Sequence, residues 1–246
     1  MPGCAPCTWE VHSMDESLAL KSVTAGYGET HVLEGIDLVL SQGESLAIIG
    51  RNGVGKSTLL ETVMGHTTLH GGRISLGGRD IAEIPPHARA LAGLGYVPQE
   101  REIFPSLSVR ENLELCARPG HWNAGRVFEL FPNLQSRLSN AGTQLSGGEQ
   151  QMLAIARALM TNPSVLLMDE PTEGLAPVIV QALAQVLVKL RDEGNLSVVL
   201  VEQNSRVALE FSARTAVMDR GRLVYDGPSE RLRKAPDYLA SLIAAQ

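Results

Sequence analysis

The residues Gly50-Arg51-Asn52-Gly53-Val54-Gly55-Lys56-Ser57-Thr58 set glycines ahead of a lysine and two hydroxyls. Glycine lets backbone N–H groups wrap around phosphate oxygens with no Cβ in the way, and a helix beginning there aims its positive end at the same oxygens. At this spacing Lys56 reaches the β- and γ-phosphates of a nucleoside triphosphate and Ser57 holds Mg²⁺. A second group, Val165-Leu166-Leu167-Met168-Asp169-Glu170, is an apolar run ending in two carboxylates. On an extended strand neighbouring side chains point to opposite sides, so the two take different jobs: Asp169 as a Mg²⁺ ligand, Glu170 as the base that polarises a water. A helix-capping Asp followed by a surface Glu is the bland alternative. In a third group, Leu145-Ser146-Gly147-Gly148-Glu149-Gln150, Ser146 and Glu149 are spaced as a capping box. A capped helix with glycines at its start is itself an anion site.

These groups need a scaffold, and the flanking residues supply one. Ser45-Leu46-Ala47-Ile48-Ile49 is a continuous apolar run of the kind buried in a parallel sheet, and Thr58 to Met64 reads as the helix after the loop. Leu18 to Leu40 reads as antiparallel strand pieces around a turn at Gly26-Tyr27-Gly28, with a second turn at Gly71-Gly72 before the strand Arg73 to Leu76. Pro85-Pro86 starts a short helix, and Gly93 to Val97 is a strand ending at Pro98-Gln99. Residues 100–144 carry helical periodicity broken at Pro119-Gly120 and Pro132-Asn133, which reads as a helical insertion. Val165 to Met168, the amphipathic Val178 to Arg191 and Ser197 to Val201 then follow in strand–helix–strand order, the signature of a parallel sheet.

Composition narrows the class. With 246 residues, 44% hydrophobic and 20% charged, the chain can bury a sizeable core, which excludes disorder as its main state. Lys and Arg number 21 against 27 Asp and Glu, and a net charge of −6 gives no general pull toward nucleic acid or acidic lipid. Apolar stretches such as Val178 to Leu190 are interrupted by Gln181, Gln185 and Lys189, so the chain is not expected to span a membrane. Three cysteines, Cys4, Cys7 and Cys116, are too few and too scattered for a disulfide framework, which points to a reducing cytoplasm. Cys4-Ala-Pro-Cys7 has the spacing of a redox or zinc half-site without a second pair of ligands. Met1 to Ser17 lacks the pattern of a signal peptide, and Met14 is an alternative start.

Leu145-Ser146-Gly147-Gly148-Glu149-Gln150, taken with the other two groups, resembles the signature of the nucleotide-binding subunits of ATP-binding cassette (ABC) transporters. The resemblance runs in the family's motif order from about Leu18 to the C-terminus. It implies an α/β fold: a P-loop NTPase with a RecA-like core, an antiparallel β-subdomain and an inserted helical subdomain at about 100–160. The expected boundaries are a disordered extension over 1–17 and one nucleotide-binding domain over 18–246. The resemblance also implies ATP and Mg²⁺ as cofactors and ATP hydrolysis coupled to transmembrane transport. Two copies pair head-to-tail in such proteins, with each ATP held between the phosphate loop of one, Gly50 to Thr58 here, and the signature of the other, Leu145 to Gln150. By position Tyr27 resembles the aromatic that stacks on adenine. Gln99 resembles the loop glutamine that senses Mg²⁺ and γ-phosphate and meets the membrane subunit. Implied partners are a second ABC ATPase subunit, identical or paralogous, integral-membrane permease subunits and, through them, a periplasmic substrate-binding protein, with no nucleic acid. The implied location is peripheral, on the cytoplasmic face of the inner membrane.

Two positions depart from the family's common pattern. Gln203 stands where many cassettes have a histidine at the γ-phosphate; its amide can donate a hydrogen bond but cannot carry a proton charge. Ala176 stands where the inter-subunit loop usually has Asp. Glu-Gly-Leu-Ala-Pro after Glu170 and Val-Glu-Gln-Asn ending at Asn204 resemble the branched-chain amino-acid importer ATPases, and the stretch from Gln99 to Pro105 also resembles the urea and short-amide importers. The alternatives are a lipid or lipopolysaccharide exporter ATPase and, from another class, a non-transport ABC protein of repair or translation. His121, Trp122, Phe128 and Phe131 are read either as part of a groove for the membrane subunit's coupling helix or as core.

Overall fold

Two sheets share the chain in the computed structural model, which describes residues 16–244. Strands β1 (Glu16–Tyr27) and β2 (Thr30–Ser41) form a long antiparallel pair, followed by β3 (Ser45–Ile49), the phosphate loop and α1 (Lys56–Met64). Next come β4 (Thr68–Leu76), β5 (Arg79–Asp80), α2 (Pro86–Leu91) and β6 (Leu94–Val97). A helical stretch holds α3 (Val109–Cys116), α4 (Ala124–Leu130), α5 (Pro132–Gln135), a 3-10 turn at Gly142–Gln144 and α6 (Gly147–Met160). The chain then runs through β7 (Val165–Asp169), α7 (Pro177–Asp192), β8 (Ser197–Glu202), α8 (Ser205–Phe211), β9 (Arg214–Asp219) and β10 (Arg222–Pro228), and ends in α9 (Ser229–Lys234) and α10 (Pro236–Ala244).

The smaller sheet has the order β2-β1-β4-β5 and is antiparallel; the larger has the order β10-β9-β3-β8-β7-β6, parallel except for β10. Buried on both faces, the central strands divide their side chains by alternation. Ala47, Ile49, Leu166, Met168, Val198 and Leu200 pack with α6 and α7, while Leu46, Ile48, Val165, Leu167, Val199 and Val201 pack toward α1 and the antiparallel sheet. A one-residue slip in any of these strands would exchange the two sets.

One local expectation is corrected. Gly71-Gly72 is not a turn but lies inside β4, opposite a bulge in β1 where Ser22 has φ 49°. Gly72 has φ 87°, and a Cβ there would lie 2.4 Å from the Ser22 carbonyl oxygen, so the bulge requires glycine. The expected break at Pro132 lies between α4 and α5, and Pro132 opens α5, its missing N–H costing nothing in the first turn. Of the two readings of the helical-region aromatics, core holds for Trp122 and Phe131, 4% and 1% exposed, although Trp122 also borders a cleft of about 530 Å³ with Arg126, Glu129 and Glu193. Phe128 packs partly buried against the same cluster, and His121 turns outward to Glu193 and Arg126. The readings of Cys4, Cys7 and Met14 lie outside the described residues.

Candidate nucleotide site

The carboxyl ends of β3, β7 and β8 lie at one level of the larger sheet, with Ile49 opposite Glu202 and Asp169 opposite Val201. That edge of an open parallel sheet is where ligands bind. The phosphate loop leaves β3 there. Gly53 and Gly55 have φ of 82° and 106°, and a Cβ on Gly50 would lie 2.5 Å from the Met218 carbonyl oxygen, so side chains are excluded where the loop curls. No side chain caps α1, whose first-turn N–H groups therefore face the loop.

Lys56 is buried, with Nζ 2.9 Å from Glu170 Oε1 and 3.1 Å from the Arg51 carbonyl oxygen. The expectation that Asp169 and Glu170 point to opposite sides is corrected. β7 stops at Asp169, and Glu170 takes φ 44°, so the chain leaves the extended pleat and both carboxylates meet the Lys56-Ser57 step. Ser57 donates a hydrogen bond to Asp169, whose Oδ1 is buried with no protein partner. Burial, reinforced by the Glu170 charge and opposed by Ser57 and Lys56, pushes the Asp169 carboxyl from 3.8 up to about 6. A hydroxyl beside an unpartnered carboxylate oxygen is the hard-oxygen donor set that suits Mg²⁺.

Val32, Asn52, Gly53, Gly55, Lys56, Ser57, Thr58, Gln99 and Glu170 line a groove of about 290 Å³. Gln99 donates its amide to Glu173 from across this groove. Tyr27 stands at its edge, half exposed, with its hydroxyl 2.5 Å from Glu61 Oε2 and 3.4 Å from Thr58 Oγ1. Burial and the Glu61 carboxylate hold that phenol above its ordinary value. Gln203 is exposed after β8 and lines a different cleft of about 1000 Å³ between α7 and α8, which Glu170 also borders.

The structure keeps Leu145 to Gln150 out of the phosphate-loop groove. Ser146 caps α6: its hydroxyl accepts from the Glu149 N–H at 3.3 Å, and Glu149 Oε2 accepts from the Ser146 N–H at 2.8 Å, which lowers the Glu149 pKa. A Cβ on Gly148 would lie 2.7 Å from Ile179, so glycine lets α6 pack against α7. Gln150 donates to the Gly142 carbonyl at 3.1 Å. Ala176 stands ahead of α7 and provides no side-chain cap.

Sequence reasoning missed Glu61, Glu173 and Glu202. Glu202 ends an otherwise buried apolar strand as Asp169 ends β7, and that repeated pattern was its signal.

The ABC transporter family profile matches residues 33–173. The chain is 37% identical over 215 residues to a probable branched-chain amino acid transport ATP-binding protein, LivF, of Archaeoglobus fulgidus, covering 85% of this chain and 91% of that protein. It is 39% identical to the high-affinity branched-chain amino acid transport ATP-binding protein BraG of Pseudomonas aeruginosa, over 84% and 91% of the two chains. It is 35% identical to the lipopolysaccharide export system ATP-binding protein LptB of Escherichia coli K12, over 88% and 93%. Among solved structures, a nucleotide-free ATP-binding cassette from an ABC transporter superposes with TM-score 0.80 at 25% identity, over 94% of this chain and 98% of that one. A dimeric ATP-binding cassette in a post-hydrolysis state, bound to ADP and Pi, superposes with TM-score 0.75 at 27% identity, over 86% and 98%.

Proposed function

The chain belongs to the ABC transporter family as an ATP-hydrolysing subunit, and from that premise we propose that it powers an importer of branched-chain amino acids. The observation that carries the chemistry is the meeting of Lys56, Ser57, Asp169 and Glu170 at the ends of adjacent parallel strands. In this reading residues 50–58 wrap the phosphates, Lys56 neutralises the β- and γ-phosphates, and Ser57 and Asp169 hold Mg²⁺ with Gln99 beside them. Mg²⁺ supplies charge neutralisation on the phosphate oxygens when bound. Glu170 orients and deprotonates the attacking water, Tyr27 stacks on adenine, and Gln203 donates its amide toward the γ-phosphate.

The signature segment, held away from its own chain's groove, serves the ATP of a second subunit, identical or paralogous. ATP between two such surfaces favours the closed pair, and loss of the γ-phosphate releases it. Among the described residues no helix is long and apolar enough to cross a membrane. In this reading contact with the membrane runs through integral permease subunits, which receive substrate from a periplasmic binding protein. Similarity to LivF and BraG supports the amino-acid reading, and similarity to LptB supports lipopolysaccharide export as the second. Urea or short-amide import is a third.

Glu170→Gln tests the chemistry: ATP binding is expected to persist while turnover falls by about 10²- to 10⁴-fold. Near-parent turnover would remove Glu170 as the base. Uptake of labelled leucine by the chain assembled with its permease and binding protein tests the substrate. ATP-driven lipopolysaccharide extraction without such uptake would favour the second reading.

A further inference from the structure

The turn after Glu170 is anchored to β8 twice. The Glu170 N–H donates to the Val201 carbonyl at 2.9 Å, and two residues later Thr172 donates both its N–H, at 3.1 Å, and its hydroxyl, at 2.7 Å, to Glu202 Oε1. The other oxygen, Glu202 Oε2, accepts from the Asn204 N–H at 3.3 Å. Glu202 and Thr172 are both buried, and each of the three donors meets a carboxylate oxygen. The Glu173 N–H closes the turn on the Glu170 carbonyl at 3.0 Å.

This turn holds Glu170 at φ 44°, a left-handed backbone region that is unfavourable for a non-glycine residue and persists only where the surroundings enforce it. If the turn relaxed, Glu170 would return toward the extended pleat of β7 and its carboxylate would leave Lys56. We propose that Glu202 is a positioning residue for ATP hydrolysis: its carboxylate clamps Thr172 and thereby holds the Glu170 carboxylate at the phosphate loop. The same carboxylate ties that turn to the loop carrying Gln203. This inference rests on Glu170 being the base.

The clamp uses both Glu202 oxygens as acceptors. In Glu202→Gln the amide nitrogen must face either the Thr172 or the Asn204 N–H, donor against donor, whichever way the side chain is turned. The test measures kcat and ATP dissociation constants of the full chain for Glu202→Gln, Thr172→Val and Thr172→Ser, with Glu170→Gln in parallel. Glu202→Gln is expected to lower kcat at least about tenfold while ATP affinity stays within about twofold. Thr172→Val, which loses only the hydroxyl, should fall between it and the parent. Thr172→Ser, which keeps both donors, should retain at least about half of kcat. The proposal is overturned if Glu202→Gln turns over within about twofold of the parent, or if affinity weakens by the same factor as kcat, the mark of general loosening. Should Glu202→Gln fail to fold, Thr172→Val decides, and an unchanged kcat overturns the clamp. If Glu170→Gln itself keeps turnover, the reading of the base fails; if only the Glu202 and Thr172 variants do, this inference alone fails.

Discussion

Arg89 offers a way to separate the foundation of the phosphate loop from its chemistry. Only 4% exposed, its guanidinium donates to four carbonyl oxygens: Nε to Ile84 at 2.7 Å, Nη1 to Thr62 at 2.9 Å and Val63 at 2.8 Å, and Nη2 to Ala82 at 2.8 Å. Burial pulls its pKa down and the Asp80 carboxylate pushes it back up, yet a guanidinium stays charged near neutrality. Thr62 and Val63 belong to the last turn of α1, so Arg89 closes the far end of the helix whose first turn carries Lys56, Ser57 and Thr58. In Arg89→Met the aliphatic stem keeps its packing and four carbonyls lose a charged donor. Bonds to charged groups contribute about 1.5–3 kcal/mol each, much of it offset by burying the charge, and breaking such a buried network costs about 3–5 kcal/mol. We therefore expect about 4 kcal/mol lost in urea unfolding, and a melting temperature lower by roughly 8–16 °C for a domain of this size. Arg89→Lys keeps the charge but reaches fewer acceptors, and should lose about half as much. A loss below about 1 kcal/mol for Arg89→Met would refute the view that the guanidinium is what holds this end of α1.

Further outcomes concern the site itself. Because burial raises the Asp169 carboxyl from 3.8 to about 6, the folded chain binds more protons than the unfolded one in that window, and stability falls as pH rises through it. Asp169→Asn should therefore stabilise the nucleotide-free chain near neutral pH by up to about 3 kcal/mol while abolishing the Mg²⁺ dependence of ATP binding. A lower melting temperature for that variant near neutral pH would contradict the sign. Ser146→Ala removes the acceptor for the Glu149 N–H and should cost about 1 kcal/mol in urea unfolding. ATP affinity of the isolated subunit should be untouched, since Ser146 lies away from its own groove, and a weakened affinity would place the signature at the wrong nucleotide.

Much of this architecture was legible from residue order, because the signals are local. An apolar run, glycines and a lysine in series define a strand, a loop and a helix start wherever they occur, and β3 and α1 follow that reading, α1 beginning two residues earlier than expected, at Lys56. The capping box at Ser146 and Glu149 was likewise readable, since its donors and acceptors lie three residues apart. What lay beyond local pattern depended on partners distant in sequence. Gly71-Gly72 reads as a turn until β1 is beside it with a bulge. Asp169 and Glu170 read as opposed until β8 supplies Val201 and Glu202, which pull the chain out of the pleat and bring both carboxylates to Lys56 and Ser57. Residue types and spacing thus singled out the candidate groups for phosphate and metal, because short-range geometry is written in the order of residues. How those groups face one another, and which buried carboxylate steadies them, was decided only when distant strands came into register and burial made each unpaired polar atom costly.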